Sequence, residues 1–298
     1  MTAELSVPAP AKLNLYLHVT GKRTDGYHEL DSLVAFAGVH DTLRLAPADA
    51  LSLVIEGPHG EGLATDSENL VMQAAERLGE AAGIKTGAQM VLQKNLPVAS
   101  GIGGGSADCA AALTGLARLW NVDTGDVYLA RLGLQLGADV PVCLFGRTAF
   151  MSGIGEQITG APTLPPVWLV LVNPGAGLAT RAVFEARRAA QGDEWSEPGR
   201  FDEQPANAAG LADLLRSRRN DLTQAAIALQ PVIGDVLHAL QNTDGVLLAR
   251  MSGSGATCFG MFSDSDNAEL AAAELAGNNP QWWVRRASLL DDTATLVG

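Results

Sequence analysis

Four glycines stand at 101, 103, 104 and 105 within the stretch Leu96-Pro-Val-Ala-Ser-Gly-Ile-Gly-Gly-Gly-Ser-Ala107. Glycines in such a loop reach positive φ and let a ligand lie against bare backbone. The alanine-rich run 107–119 behind them reads as a helix. Its unpaired N–H groups and positive dipole end face the loop. That combination suits an anion, above all a phosphate. The cradle would be Pro97, Val98, Ala99, Ser100, Gly101, Ile102, Gly103, Gly104, Gly105, Ser106 and Ala107. Ser106 serves there as helix N-cap or as a hydroxyl ligand to a phosphate or its metal. Two familiar loops are excluded. A Walker A loop needs Lys-Ser/Thr after its last glycine, and Ser-Ala follows here. A dinucleotide fingerprint needs a second strand ending in an acidic residue about twenty positions on. Here the chain runs instead through Trp120-Asn-Val-Asp into a second helical run, 127–136.

Other residues are candidates by type and placement. Asp139, in Leu-Gly-Ala-Asp-Val-Pro, stands between a helix stop and an apolar, strand-like run, 140–145. It is either a cap or turn residue, or a carboxylate at the edge of a core and so placed to act as a base. Residues 9–19 alternate at period two, with Ala11, Leu13, Leu15, Leu17 and Val19 on the buried face. Lys12 and Asn14 share the opposite face, which leaves a joint role open; Tyr16 and His18 on that face read as solvated. The turn Gly21-Lys-Arg-Thr-Asp-Gly-Tyr-His28 presents Tyr27 and His28 as a recognition edge or as ordinary surface. The histidines show no ligand spacing, and Cys109, Cys143 and Cys258 form no Cys-x-x-Cys pair. Neither a zinc site nor a disulfide framework is expected.

These residues need elements to hold them. Short strands are expected at 33–36, 41–45, 51–55 and 89–94, with a helix over 68–82. Past a Pro-rich boundary at 162–166 come a strand at 167–172, a helix at 180–190 and an acidic, aperiodic loop at 191–206. Helices follow at 207–217 and 221–240, the second broken at Pro231. Strands at 246–251 and 257–262 flank Ser252-Gly-Ser-Gly-Ala256, and a helix at 266–276 and a strand at 282–289 close the chain. This order predicts an α+β protein with helices on one face of a sheet. At 298 residues the chain holds two domains or one large one. A net charge of −13 argues against nucleic acid and anionic membranes as partners, while a locally positive nucleotide site remains open. The opening Met-Thr-Ala-Glu-Leu lacks a basic or apolar leader, and the apolar run 167–172 has a strand's length, so a soluble cytoplasmic protein is expected.

Three stretches then stand in order: Pro-Ala-Lys-Leu-Asn-Leu early, Pro-Val-Ala-Ser-Gly-Ile-Gly-Gly-Gly-Ser-Ala centrally, and Met-Ser-Gly-Ser-Gly-Ala late. The trio resembles the GHMP kinases, the galactokinase, homoserine, mevalonate and phosphomevalonate kinase family. That family's ATP loop reads Pro-x-x-x-Gly-Leu-Gly-Ser-Ser-Ala; here Gly104-Gly105 replace the Ser-Ser step. The resemblance spans essentially the whole chain. It implies a two-domain α+β fold, with residues 1–162 an N-terminal ATP-binding domain like ribosomal protein S5 domain 2, and residues 163–298 a ferredoxin-like C-terminal domain. It also implies roles. Asp139 would be the catalytic base, Lys12 its partner near the accepting hydroxyl, and the 97–107 loop the seat of the ATP phosphates. Gly253, Ser254 and Gly255 would lie against substrate phosphates or shape the cleft.

Within the family, the Gly-Gly-Gly-Ser form of the loop, Asp25-Gly-Tyr-His28 and Gly-Ala-Asp-Val-Pro resemble members acting on a cytidine diphosphate-linked methylerythritol. Those members serve non-mevalonate isoprenoid precursor biosynthesis. Asn14, Tyr27 and His28 then match the cytidine side, and Phe184, in Thr-Arg-Ala-Val-Phe, a second stacking aromatic. The implied activity is ATP-dependent phosphorylation of that substrate's 2-hydroxyl, with Mg2+ and no assigned protein metal ligand, by a monomer or weak homodimer. The alternatives are a homoserine- or mevalonate-type acceptor and, in another class, a non-catalytic nucleotide-binding protein. The presence of both Lys12 and Asp139 speaks against the last.

Overall fold

A computed structural model describes residues 4–123 and 125–296; the first three residues of the opening read above for a leader lie outside them. The central element is β2, His28–Ala48. One edge pairs antiparallel with β1, Leu5–Lys22, along nearly its whole length. Three strands share its other edge in series. β5 (Ala149–Gly153) takes residues 30–34, the final strand of the chain takes 36–37, and β4 (Gly87–Gln93) takes 42–48. β3 (Ser52–Glu56) joins β4 in parallel, and β6 (Gln157–Gly160) extends β5.

Two expected strands, 33–36 and 41–45, are therefore one. Gly38 lies between them, where an added Cβ would stand 2.9 Å from Ser288 Oγ of the crossing last strand. It admits a neighbour rather than breaking the strand.

The N-terminal helices are α1 (Leu70–Ala82), α2 (Gly104–Leu119), α3 (Asp126–Leu136) and α4 (Val140–Phe145). α1 and α2 bury Val71, Leu78, Leu113 and Leu116 against Leu43, Leu45, Met90 and Leu92 of the sheet. The run 140–145 was expected as a strand and is α4 instead. A six-residue apolar run is ambiguous by periodicity alone. Pro141 fits the first helical turn and Gly146 closes the helix in the left-handed region at φ 65°, which decides it.

The second half carries β7 (Trp168–Asn173), β8 (Leu248–Met251), β9 (Cys258–Phe262) and β10 (Trp283–Leu290), paired antiparallel in the order β10-β7-β9-β8. Around this sheet stand α5 (Thr180–Gln191), α6 (Ala208–Arg216), α7 (Thr223–Leu229), α8 (Val232–Gln241) and α9 (Ser265–Asn278). The helix expected over 221–240 is divided at Pro231, as its missing N–H requires. β10 links the two sheets. The guanidinium of Arg250 on β8 is buried and donates to the carbonyls of Leu15 (2.6 Å), Leu215 (2.9 Å) and Arg218 (2.6 Å). Among the described residues no helix is long and apolar enough to cross a membrane.

Tyr16 and His18 correct another expectation. Neither is solvated: both are buried, because the 191–206 loop crosses their face of β1. Gly199 packs against both rings, and a Cβ there would stand 3.0 Å from Tyr16 Cε2. Ser196 N–H donates to Val19 O (2.9 Å), and His18 Nδ1 contacts Glu197 O (2.7 Å). The Tyr16 hydroxyl donates to Asp31 (2.6 Å). Burial and the adjacent Asp31 push its ionisation well above the usual range.

Beneath the start of α2 lies a buried ion trio that carries no sequence motif. Lys94 Nζ meets both Asp41 Oδ2 and Asp108 Oδ2, the latter at 2.6 Å. Asp41 Oδ1 also accepts the N–H groups of Asn95 (2.5 Å) and Leu96 (2.8 Å), which lead into the glycine loop. Burial pushes the Asp108 carboxyl up to about 7 against the pull of Lys94. Burial opposes charge on Lys94 too, but the two carboxylates outweigh it and the amine stays above its ordinary value. Breaking a buried ion cluster by removing one partner typically costs about 3–5 kcal/mol. Lys94→Met, which strands two carboxylates, should lower the urea midpoint correspondingly at unchanged slope. A wild-type midpoint would show that the trio adds nothing to stability.

Candidate active site

The site forms where β1, the glycine loop and the β8–β9 turn touch. Lys12 N–H donates to Ile102 O (2.9 Å), and Thr257 N–H to Ser100 O (3.0 Å). Ser252 Oγ accepts from Asn14 N–H (3.1 Å) and donates to Gly101 O (3.0 Å). These bonds fix the loop against both halves of the chain. Two glycines make the approach possible. A Cβ on Gly101 would stand 2.5 Å from Ser252 O, and one on Gly253 would stand 2.6 Å from Gly101 O.

Along the loop, Ser100 Oγ donates back to Pro97 O (2.6 Å), Ala99 is held at φ 49°, and Ile102 is buried in the core as its anchor. Val98 is exposed and Pro97 buried. Gly103, at φ 63°, is the N-cap of α2 and makes no side-chain cap bond. The helix thus starts three residues earlier than its alanine run, and Ser106 is not the N-cap: it sits inside the first turn. Gly104 and Gly105 precede it, and Ala107 N–H returns to Gly103 O (2.8 Å). The opening N–H groups therefore face outward from a helix end with the positive pole of its dipole.

The loop bends over Lys12: a Cβ on Gly103 would lie 3.0 Å from Lys12 Cε. Lys12 Nζ reaches Asp139 Oδ2 at 3.0 Å and donates to Asn14 Oδ1 at 2.9 Å. Asn14 Nδ2 in turn donates to Ser32 Oγ (2.8 Å), and Ser32 Oγ to Tyr16 O (2.5 Å). The lysine side chain is 3% exposed and the aspartate 34%, so the carboxylate is the open partner. Asp139 precedes α4 without capping it, which leaves its second oxygen free of helix duties. Ser106 Oγ faces the same segment, 3.9 Å from the position of a Cβ on Gly137. Lys12 and Asp139, far apart in the chain, thus meet directly under the anion cradle.

On the other side, His28 stacks on Phe184 with ring centroids 4.6 Å apart at 20°. Burial, then Lys22, Arg187 and Arg188, hold its pKa below the ordinary 6.5, so the ring is neutral at pH 7. Tyr27 is not brought into this stack. Arg23 N–H closes the turn on Tyr27 O (2.8 Å), and the phenol points outward, 59% exposed. Ser254 Oγ and Thr180 Oγ1, 2.9 Å apart, tie the β8–β9 turn to the start of α5, the helix that carries Phe184. Gly255, at φ 88°, completes that turn.

Sequence reasoning passed over Thr180, the ion trio and Trp195. A lone aspartate inside the alanine run, Asp108, was the available signal for the trio. Thr180 and Trp195 gave none, since each sits in a locally ordinary context. Among the described residues no group of three His, Cys, Asp or Glu side chains gathers as a metal cage.

Comparison with known proteins places the chain in a family. The family model for the GHMP kinases N terminal domain covers residues 69–147, and that for the GHMP kinases C terminal covers 206–281. A 4-diphosphocytidyl-2-C-methyl-D-erythritol kinase of Paramagnetospirillum magneticum is 53% identical over 96% of this chain and 98% of its own length. One from Rhodospirillum rubrum is 49% identical over 96% and 93%. A crystal structure of a 4-(cytidine 5'-diphospho)-2C-methyl-D-erythritol kinase superposes with a TM-score of 0.75 at 33% identity, over 96% of this chain and 99% of that one. L. major mevalonate kinase, at 15% identity, shares the fold with a TM-score of 0.74 over 98% and 99%. The expected two-domain α+β fold is the one these proteins have, and on both family models and near-full-length relatives the chain belongs to the GHMP kinase family.

Proposed function

We propose that this kinase transfers the γ-phosphoryl group of ATP to the 2-hydroxyl of 4-diphosphocytidyl-2-C-methyl-D-erythritol, in non-mevalonate isoprenoid precursor biosynthesis. The observation that carries the mechanism is the Lys12–Asp139 pair, 3.0 Å apart beneath the glycine loop. The phosphates of ATP lie on the 97–107 loop, held by backbone N–H groups at the start of α2. Phosphoryl transfer asks for positioning and charge neutralisation more than for covalent help. The acceptor oxygen bonds to the γ-phosphorus as the bond to the β,γ-bridging oxygen breaks; ADP leaves, and the hydroxyl proton passes to Asp139. Lys12 orients that carboxylate and counters charge beside it, and Asn14 fixes the ammonium in turn.

Magnesium fits a nucleotide-borne role. Ser106 offers a hydroxyl beside the Asp139 segment, and phosphate oxygens would fill the remaining shell. The metal supplies neutralisation of phosphate charge. His28 and Phe184 serve the cytosine side, where a pyrimidine gains from aromatic faces and a neutral imidazole reads its polar edge; Tyr27, outside that stack with its ring exposed, offers the base a second face. The turn Gly253-Ser254-Gly255 borders the acceptor's phosphates.

The direct test is ADP release by the purified protein with magnesium-ATP and single acceptors: the cytidine diphosphate-linked methylerythritol, homoserine, mevalonate or galactose. Turnover with the first alone is expected; turnover with another instead would discard the cytidine assignments. Asp139→Asn should lower kcat by ~10²-fold or more while ATP binding persists. Full turnover in that variant would remove Asp139 as the base. Tyr27→Ala should raise KM for the cytidine substrate by roughly 10-fold, as loss of one base-stacking face does, with KM for ATP unchanged. An equal rise in both constants would take Tyr27 out of substrate recognition.

A further inference from the structure

Trp195 is the large apolar side chain of the acidic 191–206 loop that stays open to solvent, at 38% exposure. Its ring lies 6.4 Å from that of His28, tilted by 60°, beside the His28–Phe184 stack. The loop holds it there firmly. The next residue, Ser196, is bonded through its N–H to Val19 O (2.9 Å) and through Oγ to Asp221 (2.7 Å), and it accepts from Arg219 (2.9 Å). Behind the indole stands Arg187, one turn of α5 beyond Phe184. Its guanidinium carbon lies 5.5 Å from the indole centroid, and Nη2 donates to Glu194 O (2.5 Å).

Arg187 is a costly choice for a mere prop. It is 3% exposed, its Nε has no hydrogen-bond partner among the described residues, and Asp221 and Glu194 act on its charge only from beyond ion-pair distance. A buried guanidinium without a counter-ion is destabilising unless something else offsets it. An aromatic face over the cation is one offset, and an anionic ligand nearby is another. Lys22, Arg187 and Arg188 all act on His28, in a protein whose net charge is −13. Three cations, offset in part by Asp221 and Glu194 beside Arg187, thus stand at one aromatic cluster of an acidic surface, which suits a base that carries a diphosphate.

We propose that Trp195, backed by Arg187, is a further wall of the pyrimidine slot and a residue that sets affinity for the cytidine end of the acceptor. The inference rests on the assignment of His28 and Phe184 to the cytosine side. An indole fixed in advance costs little ordering entropy on binding, so its contact area converts efficiently into affinity. Alternate stacking partners at one base are a common device because every base has a π-face.

The test is equilibrium binding of cytidine 5'-diphosphate to the full chain, read by intrinsic fluorescence and independently by calorimetry, for wild type, Trp195→Ala, Trp195→Phe and Phe184→Ala. Trp195→Ala should weaken binding by roughly 10-fold, within the range for loss of one stacking face, and Trp195→Phe should restore most of it. KM for ATP should stay at the wild-type value in both. The fluorescence change on binding should vanish in Trp195→Phe although calorimetry still records binding. Wild-type affinity in Trp195→Ala, with loss in Phe184→Ala, overturns the role of Trp195 and leaves the cytosine assignment standing. Wild-type affinity in both variants overturns the assignment itself, and the inference with it.

Discussion

The site depends on two pieces of bare backbone touching. Gly101 of the phosphate loop and Gly253 of the β8–β9 turn approach so closely that a methyl group on either would meet a carbonyl oxygen at 2.5–2.6 Å. Around that contact Ser252 bonds at once to Gly101 O and to Asn14 N–H, so a loop, a turn and a strand from three parts of the chain become one rigid unit. Because β1 also bonds Lys12 N–H to Ile102 O, the loop cannot tilt without moving the lysine below it. Phosphoryl transfer rewards this rigidity, since most of its barrier is lowered by placing charges before the reaction begins.

Charge is placed by burial rather than by abundance. An acidic chain has few cations to spend, and two of its lysines, Lys12 and Lys94, are among the least exposed side chains it has. Lys12 is held by Asp139 and Asn14, and Lys94 by Asp41 and Asp108, so each ammonium has a defined geometry. Lys94 sits below the start of α2, where a Cβ on Gly104 would lie 3.2 Å from its Nζ, and Lys12 sits below Gly103. The positive end of the cradle is therefore the helix pole, with two buried ammonium groups behind it whose charge is met by Asp139 on one side and by Asp41 and Asp108 on the other. The acidic exterior is no obstacle to an anionic substrate when the field at the cleft is set by its own lining.

The acidic 191–206 loop shows how distant contacts revise local reading. Alternation correctly placed Leu13, Leu15 and Val19 in a core, while Tyr16 and His18 on the opposite face of β1 read as solvated. That face is covered by Ser196, Glu197 and Gly199, so Tyr16 and His18 are interior residues. Period-two patterns identify the apolar face of a strand but say nothing about what a later loop lays across the polar one. The run 140–145 failed for a different reason: six apolar residues fit helix or strand, and only Pro141 and Gly146 favoured the helix.

What the sequence alone determined is whatever short-range chemistry controls. The glycine positions of the loop, the break at Pro231, the helical stripes and the ordered family motifs were all legible, because φ preference, missing N–H groups and side-chain periodicity act within a few residues. Tertiary structure alone decided that Lys12 meets Asp139, that Lys94 is shared by Asp41 and Asp108, and that His28 rather than Tyr27 stacks on Phe184. Those outcomes depend on which elements pack together. Packing is set by burial summed over the whole chain, to which no single residue's neighbours in sequence hold the answer.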